Sequence, residues 1–498
     1  MATEDGSRES DADVVVVGGG IGGLSASAFL SKKGYRVELV EKNASVGGRA
    51  SVFEEDGFRF DMGPSWYLMP DVFDRFFGKF GRETEEYYSL NRLDPNYRIF
   101  FKDGDRVDVP ASPDEAARLF ESYEEGAGEA FRRYLEKSEE TYEIGMNEFV
   151  LEDRNRIRDY LSLDVLRNAR GISLLKKMQD HVEEYFENPK LQQITQYTLV
   201  FLGGAPYNTP ALYSLMSHVD FNMGVYYPEG GIYSVMEALR ELAEEEGVDF
   251  SLGEEVTTID RSDGQVVVDT EDRSIDCDAV VSNADYAHTE TQLLPDEYTT
   301  HDSDYWDSRT YAPSAFLVYL GVDKELPELE HHSLVLPENW NPHFESIFGD
   351  PSLPENPAYY ICNPTRTDDT VAPEGKSAIF VLVPIAAELS LTDDERQGFR
   401  DAVIDDIEEN TGVELRDSIE YERIFAGEEF QSRYNSYNGT ALGIAHTLRQ
   451  TSVLRPKQRS KKMEGLYYVG QYTNPGIGMP MCLISGEHVA EKVENDIG

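Results

Sequence analysis

The strongest hydrophobic pattern in the chain lies close to its N-terminal end. Four consecutive valines, Val14 to Val17, predict a short strand that is buried on both faces. A glycine-rich turn follows, and small and apolar residues then recur at helical spacing from Leu24 to Lys33, where Gly34 ends the pattern. Arg36 to Val40 alternates as a second strand, which Glu41 closes. The pattern therefore predicts a strand–turn–helix–strand unit.

The turn between the first strand and the helix contains the pattern G-x-G-x-x-G, at Gly18, Gly20 and Gly23. The first glycine permits the tight bend, the second lets a pyrophosphate approach the backbone, and the third lets helix and strand pack closely. The N–H groups and the positive dipole end of the helix attract the same phosphates. Glu41 stands where a carboxylate accepts hydrogen bonds from a ribose and repels a 2′-phosphate. A glycine-rich turn without a ligand is the simpler alternative, but the complete unit favours dinucleotide binding.

Beyond about residue 100 the pattern becomes helical, and short strands return after about residue 220. A second region of strands follows, of which Ala315 to Val322 and Ala378 to Pro384 are the clearest. We therefore predict an α/β protein with a discontinuous Rossmann-like nucleotide-binding domain. Its predicted parts are a disordered acidic tail (1–12), the nucleotide domain (13–100, 220–290 and 440–498), a helical, membrane-associating substrate insertion (101–219) and a mixed-sheet substrate domain (291–439).

The formal net charge of the 498-residue chain is −49, from 94 acidic and 45 basic residues. This imbalance argues against binding of nucleic acid through its phosphates. Because 40% of the residues are hydrophobic, a folded core beneath an acidic, hydrated surface is favoured over disorder. Such a surface is typical of halophilic proteins from cells that hold molar salt, since high salt screens the repulsion between the carboxylates.

The three cysteines, Cys277, Cys362 and Cys482, form no C-x-x-C pair, so the spacing indicates neither a disulfide framework nor a metal site. Residues 1 to 13 lack the apolar segment of a signal peptide. No apolar run reaches the roughly 18 residues that a spanning helix needs. We expect a cytoplasmic protein, free or peripheral on the inner membrane face.

Several further stretches carry a resemblance to a known family. They are Asn43 to Arg49, Gly57 to Ser65, Gly224 to Gly231, Val280 to Asp285, His331-His332, Pro364 to Asp368, Ala372 to Gly375, Arg455-Pro456 and Gly470 to Pro480. With the N-terminal motif, the chain resembles the bacterial-type phytoene desaturases almost end to end. These form the carotenoid desaturase branch of the amine-oxidase-like flavoproteins. The resemblance implies FAD as the redox cofactor, a C40 polyene as substrate and association with a membrane surface.

The same resemblance assigns residues to the cofactor. It places Gly18, Gly20, Gly23, Glu41, Gly48 and Arg49 on the ADP half of FAD, the backbone of Val256 at the adenine, and Gly63, Pro64, Gly470, Ile477 and Met479 near the isoalloxazine. One position departs from the wider class, because Gln471 stands where many of these flavoproteins carry an acid. The ribityl contact at this position therefore stays open.

Desaturation removes a hydride and a proton from adjacent carbons, and flavin chemistry accounts for the hydride. A proton acceptor is the one further group that the protein could supply. Asp220, just before the Gly224 to Gly231 stretch, is the first candidate and Glu429 the second. The alternative for each is an ordinary solvated surface acid. No metal cluster and no Ser-His-Asp set is evident in the pattern.

Two classes of enzyme and one binding protein agree with these observations. A carotenoid desaturase comes first, with phytoene desaturation placed ahead of 3,4-desaturation of a later carotenoid. A flavin-dependent amine oxidase of the same fold, or a polyene-binding protein without catalysis, are the alternatives. A single nucleotide motif implies that electrons leave to an external acceptor, a quinone or oxygen. The oligomeric state is left open.

Two basic segments stand out in this acidic chain. Leu161 to Met178 carries Arg167, Arg170, Lys176 and Lys177 among apolar residues, as a helix lying on a membrane surface does. An ordinary amphipathic helix is the alternative. Arg449 to Lys462 holds six basic residues and no acid, but its Arg455-Pro456 pair could equally pack against the nucleotide domain. Because a C40 polyene must be drawn from lipid, we expect monotopic docking through these segments, chiefly the first.

Overall fold

The computed structural model describes residues 13–153, 176–447 and 449–498. The predicted disordered tail and most of the Leu161 to Met178 segment lie outside these residues. The α-helices, in chain order, are α1 (Ile21–Lys32), α2 (Pro70–Lys79), α3 (Pro113–Tyr123), α4 (Ala127–Gly145), α5 (Met178–Val182), α6 (Pro189–Gln196), α7 (Leu215–Ser217), α8 (Tyr233–Glu246), α9 (Tyr286–His288), α10 (Ser303–Asp307), α11 (Asn341–Phe348), α12 (Asp393–Thr411), α13 (Gly427–Tyr434) and α14 (Met479–Ile497).

Three of these helices continue into π-helical turns, at Met146–Val150, His218–Met223 and Thr289–Leu293. The strands are β1 (Val14–Val17), β2 (Val37–Glu41), β3 (Val52–Glu55), β4 (Phe58–Asp61), β5 (Leu90–Arg92), β6 (Tyr97–Phe101), β7 (Arg106–Val109), β8 (Tyr226–Pro228), β9 (Asp249–Leu252), β10 (Val256–Ser262), β11 (Gln265–Thr270), β12 (Ser274–Cys277), β13 (Ala279–Ser282), β14 (Ser314–Val322), β15 (His332–Leu336), β16 (Tyr359–Cys362), β17 (Ser377–Ile385), β18 (Ile419–Phe425) and β19 (Leu466–Tyr468).

The nucleotide side of the molecule is built on a five-stranded sheet in the order β19-β13-β1-β2-β9, with every neighbouring pair parallel. All four residues of β1 are buried, as a central parallel strand covered on both faces requires. The five strands come from the three separate stretches predicted for the nucleotide domain.

The first helix packs unusually close to the last one. Residues Ile21 to Leu30 of α1 are all buried, and most of them are small. Ser25 Oγ donates to the carbonyl of Leu483 in α14 over 2.7 Å. A Cβ added at Gly486 would lie 2.4 Å from Ser25 Oγ. The C-terminal helix is therefore locked against the nucleotide helix, although the two lie at opposite ends of the chain.

The second sheet has seven strands in the order β18-β14-β17-β16-β15-β6-β7, and one pair, β15 with β6, is parallel. The remaining pairs are antiparallel, so the predicted mixed sheet is present. The predicted start of the helical insertion at residue 101 was wrong in one respect. Strands β6 and β7 extend to Val109 and belong to the mixed sheet, because Tyr97 to Phe101 is a fully buried run of strand-forming residues.

Helices α3 to α7 lie between β7 and β8 and cover one face of the mixed sheet. Their apolar faces join the core of that sheet through Phe120, Phe131 and Tyr134. In the part of the chain that the structure describes, no helix is long and apolar enough to cross a membrane.

Candidate functional site

A cavity of about 770 Å³ runs between the parallel sheet and the mixed sheet. Residues at the carboxyl ends of β1, β2 and β13 line one part of it, which is the edge of a parallel sheet where nucleotides bind. Ten of the twelve residues predicted to hold the cofactor line this cavity. The exceptions are Gly23 and Gly470, which lie behind its wall.

The glycines of the turn are required by backbone contacts rather than by flexibility alone. A Cβ at Gly23 would lie 2.1 Å from the carbonyl oxygen of Gly18, so a side chain there is incompatible with the turn. A Cβ at Gly20 would lie 2.8 Å from the Asn283 amide nitrogen. Gly18 itself adopts φ +98°, which favours glycine. The turn thus leaves its backbone open to the cavity, as a pyrophosphate site requires.

The carboxylate of Glu41, at the end of β2, is fixed by the main chain. Its Oε2 accepts from the backbone N–H of Gly19 over 2.7 Å, and its Oε1 accepts from the backbone N–H and side-chain amide of Asn43. Glu41 is buried but lines the cavity. This geometry places an anchored carboxylate beside the glycine turn, where a ribose hydroxyl would donate to it.

The second glycine pair lies against the first turn. Gly47 and Gly48 both adopt positive φ, and a Cβ on Gly48 would lie 3.3 Å from Gly20 Cα. Arg49 follows, with its guanidinium donating to Ser436 Oγ over 3.0 Å and lying 3.8 Å from the buried carboxylate of Asp285. Its Nε is buried and has no hydrogen-bond partner within the described ranges. A diphosphate would satisfy this cation.

The other end of the cofactor site is formed by residues from distant segments. Gly63 and Pro64 follow β4, and Ile477 and Met479 precede and begin α14. The backbone N–H of Ile477 donates to His446 Nε2 over 3.1 Å. The N-terminus of the 19-residue α14 therefore opens into the cavity, which places a positive dipole end there. Gln471 also lines the cavity.

These residues fit FAD. The glycine cradle, the anchored carboxylate and the partly unsatisfied arginine suit an ADP moiety, and Gly63, Ile477 and Met479 line the same cavity. Val256, at the start of β10, lines the adenine side. An elongated ligand with polar ends thus matches the hydrogen-bond donors that the chain offers.

Beyond the cofactor part, the cavity is walled by apolar side chains. They are Leu68, Met69, Met146, Phe149, Val150, Val200, Leu212, Leu215, Met216, Leu334, Leu336, Trp340, Phe344, Ile347 and Leu382. The walls come from the helical insertion on one side and the mixed sheet on the other. Such a surface suits a long apolar ligand.

One polar strip interrupts this apolar wall. It consists of four residues that line the cavity. Ser65 and Trp66 follow Gly63 and Pro64 in the sequence, and Tyr197 and Tyr360 come from other segments. Ser65 Oγ lies 2.9 Å from Tyr360 Oη, and the Trp66 ring lies 5.7 Å from that of Tyr197. Nothing in the hydrophobic pattern indicated this strip, because side chains from three separate segments create it.

Asp220 lies behind the polar strip, in the π-helical turn His218–Met223. It is 2% exposed and does not line the cavity itself. Tyr97 Oη donates to Asp220 Oδ2 over 2.9 Å. Burial raises the pKa of the Asp220 carboxyl to about 7, although hydrogen bonds from Tyr97 and Tyr197 act in the opposite direction. Tyr197 lines the cavity, so its phenol connects Asp220 to the cavity.

The structure does not bring Glu429, the second candidate base, to the cavity. Its Oε2 accepts from the backbone N–H of Ala426 at the start of α13, and its Oε1 accepts from Arg396 over 2.6 Å. Oε2 therefore caps the start of the helix, and Oε1 takes part in an ion pair. Its neighbour Phe430 lines the cavity instead.

Two residues of the cofactor site were not assigned from the sequence. Asn283 packs its amide against the glycine turn and donates to the carbonyl of Gly18 over 3.2 Å. Asp285 is fully buried, accepts from Tyr472 Oη over 2.8 Å and faces Arg49. Both belong to the stretch Val280 to Asp285, so the strand that ends there was the available signal.

The chain matches the family described as flavin containing amine oxidoreductase over residues 21–494. The carotenoid 3,4-desaturase of Haloarcula japonica is 59% identical over 490 residues, covering 98% of this chain and 99% of that protein. The zeta-carotene-forming phytoene desaturase of Myxococcus xanthus is 33% identical, covering 96% of this chain and 93% of that protein.

Solved structures share the fold at low sequence identity. An oxidoreductase from Methanosarcina mazei superposes with a TM-score of 0.61 at 17% identity, covering 96% of this chain and 99% of that one. Putrescine oxidase bound to putrescine also gives a TM-score of 0.61, at 14% identity, covering 97% of this chain and 99% of that one. These similarities describe the architecture alone.

Proposed function

Because the chain belongs to the flavin-containing amine oxidoreductases, in their carotenoid desaturase branch, we propose that it introduces a double bond at the 3,4 position of a carotenoid. The protein is an FAD-dependent oxidoreductase that acts on CH–CH bonds. The observation that carries the finer proposal is the 59% identity, over nearly the full length of both chains, to a protein of that description.

Phytoene desaturation, which the sequence pattern placed first, is the second candidate. It has the support of a relative at 33% identity. The substantially higher identity to the 3,4-desaturase moves the preference to the alternative. Both reactions need the same apolar cavity and the same cofactor, so the walls described above support desaturation of a polyene without separating the two.

A direct comparison of substrates tests the proposal. The purified holoprotein, in molar salt, would be given phytoene or a carotenoid with a saturated 3,4 bond, each held in liposomes. We expect a product two hydrogens lighter, with red-shifted absorbance, from the second substrate. Conversion of phytoene at a higher kcat/KM than the second substrate would overturn the 3,4 assignment in favour of phytoene desaturation.

The cofactor would be held by the residues already described. The glycine turn, Glu41 and Arg49 would bind the ADP half, and Gly63, Pro64, Ile477 and Met479 would border the flavin ring. When bound, FAD supplies the acceptor for the hydride. The chain itself must orient the polyene, exclude water and accept a proton.

We propose that the proton leaves through Tyr197 to Asp220. The phenol oxygen of Tyr197 would take the proton from the carbon next to the one that loses hydride, while its own proton passes to the Asp220 carboxylate. A carboxyl with a pKa of about 7 accepts a proton readily near neutral pH. In this role Asp220 lies behind the cavity wall, orients Tyr197 and accepts its proton.

We also propose that a quinone or oxygen removes the electrons. The support is the single glycine-turn unit found within the described ranges, which leaves no second nucleotide site for a nicotinamide acceptor. Turnover should stop without oxygen and resume when a quinone is added. Sustained anaerobic turnover with NAD alone would contradict this route.

The last element of the proposed function is docking on a membrane surface. Leu454 is the one large hydrophobic side chain that is exposed in the described part of the chain, at 53%, and it lies two residues beyond Ser452, which lines the cavity. An apolar residue beside the cavity suits transfer of a polyene from lipid. The first basic segment, up to residue 175, lies outside the described residues, so its docking role remains a prediction.

The second basic segment contributes less surface charge than its sequence indicates. Arg455 is 2% exposed, and its guanidinium donates to the carbonyl oxygens of Ile444, Gln450 and Gln471. Arg459 pairs with Asp496 over 2.6 Å. This favours the alternative in which Arg455-Pro456 packs against the nucleotide side.

Liposome flotation in high salt tests the docking proposal. We expect the double variant Leu174→Glu/Leu175→Glu and the single variant Leu454→Glu to float less than the wild type, with FAD content unchanged. Wild-type flotation of both variants, together with full activity on substrate held in liposomes, would show that another face docks.

A further inference from the structure

Behind the polar strip, two histidines and a cysteine form a compact buried cluster that the desaturation reaction does not use. They are His331, His332 and Cys362, and each offers one ligand atom within 4.8 Å of the other two. His332 lies directly opposite Cys362 in the antiparallel pair of β15 and β16, so the two side chains project from the same side of the sheet. All three residues are at most 4% exposed.

Both imidazoles are held in the way that metal-binding histidines are. His332 Nδ1 lies 2.6 Å from Tyr360 Oη, and His331 Nδ1 lies 2.7 Å from Thr367 Oγ1. The Nε2 atom of each ring is buried and has no hydrogen-bond partner in the described ranges. An oxygen that fixes one ring nitrogen orients the other nitrogen for a metal. Leaving a buried nitrogen without a partner destabilises the fold, so two such atoms side by side indicate a ligand.

Two carboxylates act on the cluster from outside. The charge of Asp368 acts on His331, and that of Asp61 acts on Cys362. A cation bound in the cluster would therefore be attracted by both carboxylates.

There is room for one further ligand beside the cysteine. A small cavity of about 20 Å³ lies on the cysteine side of the cluster, where Cys362, Asp61, Ser65, Tyr227 and Arg59 border it and neither histidine does. A space of this size holds one water molecule. The cluster therefore combines three protein donors with a place for a fourth, which is the count of a tetrahedral site.

We propose that His331 Nε2, His332 Nε2 and Cys362 Sγ bind one Zn²⁺ ion, with a water in the adjoining cavity as the fourth ligand. Two imidazoles and a thiolate are donors that zinc prefers. Donors around a tetrahedral zinc lie about 3.3–3.6 Å apart, so ligand atoms that now lie within 4.8 Å of one another would move closer when the ion binds. The three cysteines of the chain gave no such indication because Cys362 and the histidines are 30 residues apart in the sequence.

The ion would brace the cavity wall rather than take part in redox chemistry. The Trp66 ring stacks on His332 with centroids 4.0 Å apart and an interplanar angle of 9°. Tyr360, which bonds to His332, lines the cavity beside Ser65. Zinc would thus fix β15 to β16 and hold Trp66 and Tyr360 in place. This assignment rests on the cluster alone and does not depend on which carotenoid is the substrate.

Metal analysis of the untagged holoprotein tests the proposal. The protein would be purified without chelator, incubated with Zn²⁺ in molar salt with a phosphine reductant, and freed of unbound ion by gel filtration. We expect about one zinc per chain, and loss of at least nine-tenths of it in Cys362→Ser and His331→Gln. Cys277→Ser and His343→Gln are the matched controls, since Cys277 is buried elsewhere and both ring nitrogens of His343 have hydrogen-bond partners.

A spectrum of the wild type covers the case in which the variants do not fold. Replacement of zinc by Co²⁺ should give the near-ultraviolet absorption of a thiolate–cobalt bond and the visible bands of a tetrahedral site. The FAD-to-protein ratio reports folding of each variant. Less than about a tenth of a zinc per chain after loading, or full zinc retention in folded Cys362→Ser, would overturn the proposal. Copper in place of zinc at the same stoichiometry would overturn the assignment to zinc.

Discussion

The two walls of the cavity are made from different parts of the polypeptide. On the nucleotide side, backbone atoms and one anchored carboxylate form the surface, and a Cβ at Gly20 or Gly23 would enter space already taken. On the substrate side, Trp66, Tyr197 and Tyr360 meet from three distant segments and present their rings. The first wall is local in sequence and rigid in geometry, whereas the second depends on how the helical insertion packs against the mixed sheet.

The difference separates binding of the cofactor from the course of the reaction. A backbone cradle recognises phosphates by N–H groups that every residue has, so its function depends on the absence of side chains. The opposite wall must provide hydrocarbon contact and one proton route, so it depends on particular side chains. Substitutions on the two sides should therefore fail in different ways, which gives four predictions.

The largest effect is expected from a substitution in the glycine turn. Gly23→Ala places a methyl group 2.1 Å from the Gly18 carbonyl, which forces the strand and helix apart. We expect protein without flavin, measured as the ratio of flavin absorbance to protein absorbance after gel filtration. Retention of equimolar FAD by this variant would show that the turn is not the pyrophosphate site.

Gly398→Ala is the matched control for that substitution. Gly398 lies inside α12, and a Cβ there would meet nothing within 4 Å. Replacing a helical glycine by alanine stabilises a helix by roughly 0.5–1 kcal/mol. The control should keep its flavin and should not lose thermal stability.

The second prediction concerns the proton route through the substrate wall. Asp220→Asn removes the acceptor but preserves the size of the side chain, so kcat should fall about 100-fold while FAD binding is retained. In the wild type the reaction needs ionised Asp220, so the rate should fall as pH decreases through about 7. This pH dependence should disappear in Asp220→Asn. If the pH profile of Asp220→Asn matched that of the wild type, another group would cause the fall in rate at low pH.

Stability gives an independent check with the opposite sign. Burial raises the pKa of Asp220, so its neutral form stabilises the fold, and that contribution is lost as pH rises through about 7. The wild type should therefore become less stable relative to Asp220→Asn as pH rises from about 4 to about 7, with no further change above about pH 8. Thermal melting of the two proteins across this range measures the difference.

How much of each wall could be predicted from the sequence follows from the same contrast. The nucleotide unit was predictable because β1, the glycine turn and β2 follow one another within 30 residues, and their spacing is set by backbone geometry. Strands β14 and β17 were predictable because long runs of apolar residues mark them. Even so, the pattern could not show that β6 and β7 join the mixed sheet, since β6 pairs with β15 across more than 200 residues.

The polar strip was not predictable for a related reason. Asp220 was selected as a candidate base, but its burial, its phenol partners and its raised pKa arise from β6 and from the chain after α6. Glu429 carries the same functional group in the sequence, and only its contacts with Ala426 and Arg396 distinguish a cap from a base. Residue type alone could not separate the two acids.

The third prediction concerns the nucleotide side again. It is about how tightly FAD binds, not about whether FAD is present. Arg49→Met removes the cation whose Nε lacks a partner in the described part of the chain, and with it one charge-assisted contact to a diphosphate. A contact of this kind contributes about 1.5–3 kcal/mol, so we expect FAD to bind about 10- to 100-fold more weakly. Titration of the deflavinated protein with FAD measures this.

Arg59→Met provides the control for the loss of a positive charge. Arg59 lies in β4, pairs with Glu54 over 3.5 Å and does not line the cofactor cavity. FAD affinity should stay within about twofold of the wild type, because exposed pairs contribute little. An equal loss of affinity in both variants would mean that total charge, and not the position of Arg49, determines binding.

The smallest effect is expected at Glu429, and it sharpens the distinction between the two acids. Glu429→Gln weakens the hydrogen bond to the Ala426 N–H and the pair with Arg396, which lie at the start of α13. Loss of such a cap costs about 1 kcal/mol, so thermal melting should fall by a few degrees at most. Glu428→Gln, at an exposed neighbour 3.7 Å from Arg396, should change less. Neither variant should alter the pH profile of turnover, because neither carboxylate lines the cavity and Arg396, the side chain that both contact, does not line it either. If Glu429→Gln removes the acid limb that Asp220→Asn leaves in place, then Glu429 is the proton acceptor and its contacts must rearrange when substrate binds.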